Sequence, residues 1–360
     1  MGFQWFPYFP IDVNFINSMV NNKKKSGVST KARLLMELRK NQGRPVSGNV
    51  LAKSLGISRV AVWKAAQALT EAGYAIQASE TGYLLDPKKE KDFLYPWEFA
   101  EKESLFRYFE NTGSTMDRAR ELAVKGAGGG TVITAEKQSA GRGRNGRTWI
   151  SRQGGLFFTI LDRPRLAVAD YTLFSLVLQI AVVRTVSAVC GKEAYLRWPN
   201  DVYINQRKIA GIITEISGEG DLISWISGGI GVNVNNPVLS GKTISCAEIA
   251  GHPVSRREVL QKILDEIENV KQRFSSGALY AQGNRALAAE WNSRADCIGA
   301  KVAILEPLGG EKETDTTGKQ GRILVRGIFT GIDPAGHCIL KTENDSGNLY
   351  FNPGPVSMIL

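Results

Sequence analysis

Histidine is nearly missing from this chain of 360 residues: there are two, His252 and His337, both in stretches that read as loop or turn. A Ser/His/Asp triad or a histidine-rich metal centre therefore lacks its parts. Chemistry must run on Arg, Lys, Asp and Asn, which suit electrostatic stabilisation better than imidazole acid–base work. Cysteine is scarce too. Cys190, Cys246, Cys297 and Cys338 are scattered without CxxC spacing, which indicates neither a zinc site nor a disulfide framework and points to buried reduced thiols and a cytoplasmic address. Residues 1–20 are aromatic and apolar but broken by Pro7, Pro10, Asp12 and Asn14, with no basic stretch before them, so neither a spanning helix nor a signal peptide fits. Residues 1–27, with Lys23-Lys24-Lys25 near their end, read as an appended, poorly ordered tail.

Acidic residues are thin at one end. The chain carries a net charge of +10, and residues 1–91 hold 14 Lys/Arg against 6 Asp/Glu. That asymmetry marks a separate basic module suited to nucleic acid. Within it, Leu34, Leu35 and Leu38 form one helical face, Ser47 caps a second short helix carrying Val50, Leu51 and Leu55, and Gly56 breaks it. Ser58 caps a third helix, on which Ala61, Val62, Ala65 and Leu69 recur at helical spacing up to a Gly73 stop. Residues 74–78 and 83–85 flank SETG as a hairpin, so residues 28–86 read as a winged helix-turn-helix. Ser58, Arg59, Val60, Trp63, Lys64 and Gln67 fall opposite the apolar face, placed for a major groove, with Arg59 and Lys64 the leading phosphate or base contacts. The helices alone also allow a structural or dimerisation bundle; the charge concentration favours DNA.

Residues 87–103 are charged and Pro-punctuated and read as a linker. The following α/β stretch, 104–296, is organised around AEKQSAGRGRNGRTW, residues 135–149. A strand over residues 131–138 leads into three glycines and three arginines within seven residues, a loop built for an anion. The letters satisfy G-x-G-x-x-G, but the sequel TWISRQGGLFFTIL argues a strand where a dinucleotide fold requires a helix, so that reading is rejected. Ser114 and Asp117 have capping-box-like spacing at a helix start. Residues 170–190 form a long apolar core helix, RWPND leads into a hairpin with Lys208 near its second strand, and LISWISGGIGVNV is a strand whose glycines admit a close neighbour. Five short strands over 297–360 suggest a small β-barrel without catalytic character. The whole is an α+β chain.

These motifs resemble the biotin protein ligases of the bifunctional kind that also repress biotin operons. The resemblance rests on GST at 113–115, GRGRNGRTW at 141–149, RWPNDVYINQRKIAGI at 197–212 and GGIGVNVN at 228–235, and extends over residues 28–360. It implies a mixed-sheet catalytic domain of the biotin/lipoate ligase type and an SH3-like terminal barrel. It further implies biotin-ureido contacts at Ser114, Thr115 and Gln138, with Met116 standing where an asparagine is common, and further biotin contacts at Arg142, Gly143, Arg144, Lys208 and Gly211. The adenylate side falls on Gly141, Arg147, Trp149, Asn200 and Asn233, and the loop from Gly141 to Trp149 is the one that orders over its ligand.

Lys208 would bridge the biotin carboxylate and the α-phosphate, and Lys208, Arg144 and Asp201 are the catalytic candidates. Asp201 would position Mg²⁺ or accept the acceptor lysine's proton, or serve as a turn residue. Arg197 stands where lysine is usual before WPND. The implied substrates are biotin and ATP with Mg²⁺. The implied partners are a biotin carboxyl carrier domain, operator DNA and a second copy of the chain. A lipoate-type ligase, or a DNA-binding regulator with weak ligase activity, are the alternatives.

Overall fold

The computed structural model describes residues 28–164, 166–238, 241–274, 280–306, 322–342, 347–353 and 356–359. The tail expected over residues 1–27 lies outside them. The described residues divide into two compact units, 28–108 with 255–258, and 109–254 with the remainder.

In the smaller unit, helices α1 (Thr30–Lys40), α2 (Gly48–Leu55) and α3 (Arg59–Glu71) each start at a serine. The Oγ atoms of Ser29, Ser47 and Ser58 accept the amides of Ala32, Val50 and Ala61, satisfying donors that a helix start leaves open. Gly56 ends α2 at φ +62°, the left-handed conformation glycine adopts without a Cβ clash. Strands β1 (Ile76–Ser79) and β2 (Gly82–Leu85) pair antiparallel as the wing. Leu34, Leu35, Leu38, Leu51, Val62 and Leu69 are buried together, each worth about 1.5–3 kcal/mol of apolar burial.

Three expectations shift here. Val50 is 57% exposed, because Leu51 and Leu55 one turn apart set the buried face of α2. Ala66, not Ala61, completes the α3 face with Val62, Ala65 and Leu69. Tyr74 lies outside β1 and is buried.

Residues 87–103 do not behave as a free linker. Leu94 and Phe99 are buried, and Phe93, Tyr95 and Trp97 stack in series with Tyr74. Glu98, whose side chain is fully buried, accepts from Arg39 at 2.8 and 3.0 Å, from Arg257 at 2.9 Å and from the Tyr74 hydroxyl. Burial pushes the Glu98 carboxyl up, but the Arg39 bonds and charges outweigh it and hold the pKa below the ordinary value. Charged composition suggested solvent, whereas pairing made these residues part of the core.

The larger unit is built on a seven-stranded sheet ordered β3-β4-β5-β9-β8-β7-β6. Its strands are β3 (Phe106–Thr112), β4 (Thr131–Gln138), β5 (Leu156–Asp162), β6 (Tyr195–Arg197), β7 (Asp201–Ile204), β8 (Arg207–Glu219) and β9 (Leu222–Val232). The amides of Ser139 and Ala140 donate to the carbonyls of Thr112 and Gly113, so β3 and β4 rise together, with α4 (Thr115–Val124) between them. The pairs from β4 to β6 are antiparallel, making the sheet mixed. At the start of α4 the Ser114 hydroxyl accepts from the Met116 amide, not from that of Asp117, so the expected capping box is not formed.

Helix α5 (Tyr171–Cys190) lies against Gly228, where an added Cβ would meet Leu178 at 2.1 Å. It is the one helix among the described residues long and apolar enough to cross a membrane, and 13 of its side chains are buried in the core. Helix α6 (Cys246–Ala250) follows, then α7 (Arg256–Phe274) and α8 (Tyr280–Ser293). Trp291 of α8 donates its indole N–H to Gln179 of α5 at 2.9 Å. All four cysteines are buried free thiols.

The terminal segment forms a five-stranded antiparallel sheet, ordered β13-β12-β11-β10-β14. Its strands are β10 (Lys301–Glu306), β11 (Arg322–Ile332), β12 (Cys338–Lys341), β13 (Asn348–Phe351) and β14 (Ser357–Ile359). The first half of β11 pairs with β10 and its second half with β12, the sharing of one long strand that a small barrel uses. This sheet groups with the larger unit. Asn292 of α8 both donates to and accepts from the Ile332 backbone, at 3.0 and 2.8 Å.

Candidate functional site

Strand alternation places the site. Gly228 faces α5, so Gly229 and Gly231 face the opposite side of β9, as neighbouring residues of a strand must. On that side is a cavity of about 150 Å³. Its lining includes Ser114, Thr115, Met116, Gln138, Arg142, Gly143, Arg144, Arg147, Trp149, Asn200, Asp201, Lys208 and Gly211. Gly141 and Asn233, expected beside them, are not part of the lining. Gly141 opens the hairpin behind the cavity, and Asn233 follows β9, its Oδ1 accepting from Asn236 at 3.0 Å.

One end is a buried polar chain. The Thr159 hydroxyl donates to Thr115 Oγ1 at 2.8 Å, and the amide and hydroxyl of Thr115 both reach Gln138 Oε1, at 2.8 and 3.1 Å. Gln138 Nε2 donates to Ser151 Oγ at 2.7 Å. Ser114 and Met116 are both buried, and the Met116 sulfur lies against Gly229, where a Cβ would approach it to 2.6 Å.

The other end is cationic. Residues 141–149 form a tight hairpin: the Trp149 amide donates to Gly141 O at 2.8 Å and the Gly143 amide to Arg147 O at 2.7 Å. Asn145 and Gly146 turn the chain at φ +55° and +70°. Trp149 folds back across the sheet, so close that a Cβ on Gly231 would lie 2.6 Å from its indole and one on Gly211 would lie 2.9 Å away. Lys208 sits 2.7 Å from Asp201 and 5.2 Å from the Trp149 ring. The hairpin turn between them, Asn205-Gln206, has φ of +50° and +59° and sets these two strands in register. Asn200 locks the other end, donating its side-chain amide to Ile212 O at 2.6 Å.

Arg144 is mostly buried, donating to Val356 O at 3.1 Å and to Pro353 O. Burial pulls its pKa down to about 10 against the opposing pull of Asp201, which still leaves a permanent cation at neutral pH. The terminal segment, expected to lack catalytic character, therefore supplies two carbonyls, from beyond β13 and just before β14, to a loop arginine.

Several of these partners carried little sequence signal. Thr159 had one, a hydroxyl inside the apolar run LFFTIL; Ser151 and the carbonyls of Pro353 and Val356 had none. Arg197 lies outside the lining, paired with Asp296 and stacked 3.9 Å over Tyr203. Neither histidine is near: His252 is exposed, and His337 pairs with Asp333 at 2.9 Å in a turn. Among the described residues, no cluster of three His, Cys, Asp or Glu side chains is arranged to hold a metal.

On α3, Arg59, Val60, Trp63, Lys64 and Gln67 are all exposed on one face. Ser58 is occupied as the cap, and Gln67 donates to Glu71 at 3.0 Å.

Residues 108–233 match the biotin/lipoate A/B protein ligase family, and residues 30–84 match a helix-turn-helix domain family. The bifunctional ligase/repressors BirA of Bacillus spizizenii and Bacillus subtilis are each 34% identical over 335 residues, spanning 89% of this chain and 97% of theirs. A solved biotin protein ligase from Aquifex aeolicus, in complex with biotin and ATP, aligns at 26% identity and a TM-score of 0.55, covering 71% of this chain and 98% of that one. The chain belongs to the biotin protein ligases, in the bifunctional ligase/repressor branch.

Proposed function

We propose that the protein activates biotin with ATP as biotinoyl-5′-AMP, transfers it to a lysine of a biotin carboxyl carrier domain, and represses transcription in response to biotin. The observation that carries this reading is the meeting, in one cavity, of a buried hydrogen-bonding end with Lys208, Arg142 and Arg144. In the first step the biotin carboxylate attacks the α-phosphorus of ATP in line and pyrophosphate departs. In the second, the acceptor amine attacks the acyl carbonyl, loses a proton, and AMP leaves. Neither step needs a protein nucleophile. Both need charge neutralised on the carboxylate and the phosphoryl group, and water kept from a hydrolysable anhydride.

Ser114, Thr115 and Gln138 are the ureido contacts in this reading; the Thr115–Gln138–Ser151 chain supports it because each member is already oriented. Lys208 bridges carboxylate and α-phosphate, Arg142 and Arg144 add charge, and Trp149 covers the apolar body beside Gly143 and Gly211. Arg147 and Asn200, which line the cavity, form the adenylate side. Mg²⁺ would neutralise the polyphosphate. Asp201, a single carboxylate in a cavity lined with cations, fits an ion that takes most of its ligands from phosphate and water. Ser114, Thr115 and Gln138 favour the polar ureido ring of biotin over the bare alkyl chain of lipoate, so biotin is preferred. Buried free thiols and ATP dependence suit the cytoplasm.

The α3 face supplies operator contacts through Arg59, Trp63, Lys64 and Gln67. One helix-turn-helix per chain calls for a two-fold dimer on DNA. The decisive experiment is incubation with labelled biotin, ATP, Mg²⁺ and an acceptor domain. Label on the acceptor lysine is expected; no label, with the fold intact, ends the ligase reading. Retarded DNA only when biotin and ATP are both present is the matching test for repression.

A further inference from the structure

Arg142 differs from the other cations of the cavity in how it is held. Its Nη2 lies 3.0 Å from Asp117 Oδ1 and 2.9 Å from Glu215 Oε1, close enough for ion pairs, while neither Nη2 nor Nε, both buried, makes a hydrogen bond. The two carboxylates come from different elements, Asp117 from the first turn of α4 and Glu215 from β8. Glu215 is fixed in turn by Arg120 of α4, 2.9 Å from its other oxygen. The guanidinium is flanked by negative charge at its outer edge, and its unpartnered N–H groups belong to a side chain that lines the cavity.

We infer that Asp117 and Glu215 are positioning residues that hold Arg142 ready for the anionic part of the substrate. This rests on the ligase reading above. An arginine on a glycine-rich hairpin has four side-chain torsions to immobilise, and ordering them before the ligand arrives removes that cost from binding. Two carboxylates also partly cancel its charge, which would weaken anion binding. The pair therefore helps only if the gain from orientation exceeds the lost attraction. The geometry favours orientation, because carboxylates from two elements flank the terminal nitrogen while the buried Nη2 and Nε make no hydrogen bond that a ligand would have to break.

The test is a double-mutant cycle in the full-length protein, with biotin-dependent pyrophosphate exchange as the readout and thermal unfolding measured alongside. Glu215→Gln and Asp117→Asn should each lower kcat/KM for biotin about 2- to 5-fold, the size of one partly solvated charge contact. In an Arg142→Met background, neither should lower it further, because the arginine through which they act is gone. A Glu215→Gln enzyme with unchanged or improved kcat/KM overturns the inference and makes the carboxylates mere competitors for the cation. Equal losses in both backgrounds also overturn it, and reveal a purely structural role. Absence of exchange in the unsubstituted protein would instead overturn the ligase reading itself.

Discussion

Lys208 Nζ and Asp201 Oδ1 stand 2.7 Å apart across the β7–β8 hairpin, so the central cation of the cavity is held by a carboxylate from the neighbouring strand. Asp201 fixes where the ammonium points, and an incoming carboxylate or phosphate can replace it as the counter-charge. Lys208→Ala should reduce pyrophosphate exchange about 10²–10³-fold, the cost of removing one preorganised charge from a transition state. The unfolding temperature should hardly move, since the side chain is partly exposed and its strand stays paired. Full exchange activity would remove Lys208 from the chemistry.

Gly231 matters for what lies above it. Its backbone is ordinary strand, so alanine brings no torsional strain, yet the new methyl would press within 2.6 Å of the Trp149 indole. Gly231→Ala should lift Trp149 off the sheet, shift its fluorescence and hasten loss of bound adenylate at least several-fold. An alanine enzyme that retains adenylate as long as the parent would show that the indole does not shelter the ligand.

The Glu98 hub gives the smaller unit a pH dependence with a definite sign. The Glu98 carboxyl titrates below its ordinary value of 4.5, so the unfolded chain binds this proton more readily. The stabilisation is complete above the unfolded pKa and is lost as pH falls through the lower, folded one. Glu98→Gln leaves Arg39 and Arg257 with only the more exposed Glu90 as a shared carboxylate and should cost about 1.5–3 kcal/mol, the worth of a hydrogen bond to a charged group. Hydrogen exchange along α1 and α3 should accelerate at neutral pH in the variant, and acidification should then change its exchange much less than the parent's. A parent-like profile would mean the hub is dispensable.

The parts of this architecture that were legible in the sequence are those set by short-range chemistry. Ser47 and Ser58 announce helix starts, Gly56 a stop, and the β-branched run at 131–138 a strand. The glycine–arginine loop and the Lys208 turn were legible because their residue types are unusual at that density. What stayed hidden depends on partners far along the chain. Nothing near Glu98 says that Arg39 and Arg257 will surround it, so residues 87–103 read as solvent-facing. Arg144 gives no sign that carbonyls of residues 353 and 356, some 209 and 212 positions on, will receive it. Arg197, beside the most telling motif, turned away because Asp296 was there to neutralise it.

In operator binding by the α3 face, Trp63 would contribute shape and Lys64 charge. Trp63 is 53% exposed on a helix whose other side packs the core, so Trp63→Ala should leave the unfolding temperature unchanged. Loaded with biotin and ATP, the protein can enrich its target duplex from a random-sequence pool, and that duplex serves as the probe. Lys64→Ala should weaken binding to target and random DNA alike and reduce the salt slope by about 1, as loss of one phosphate contact does. Trp63→Ala should weaken binding to the target more than to random DNA, because an indole in a major groove meets base edges and methyl groups, not phosphates. Equal losses on both duplexes would reduce Trp63 to a backbone contact, and unchanged binding by both variants would remove α3 from the interface.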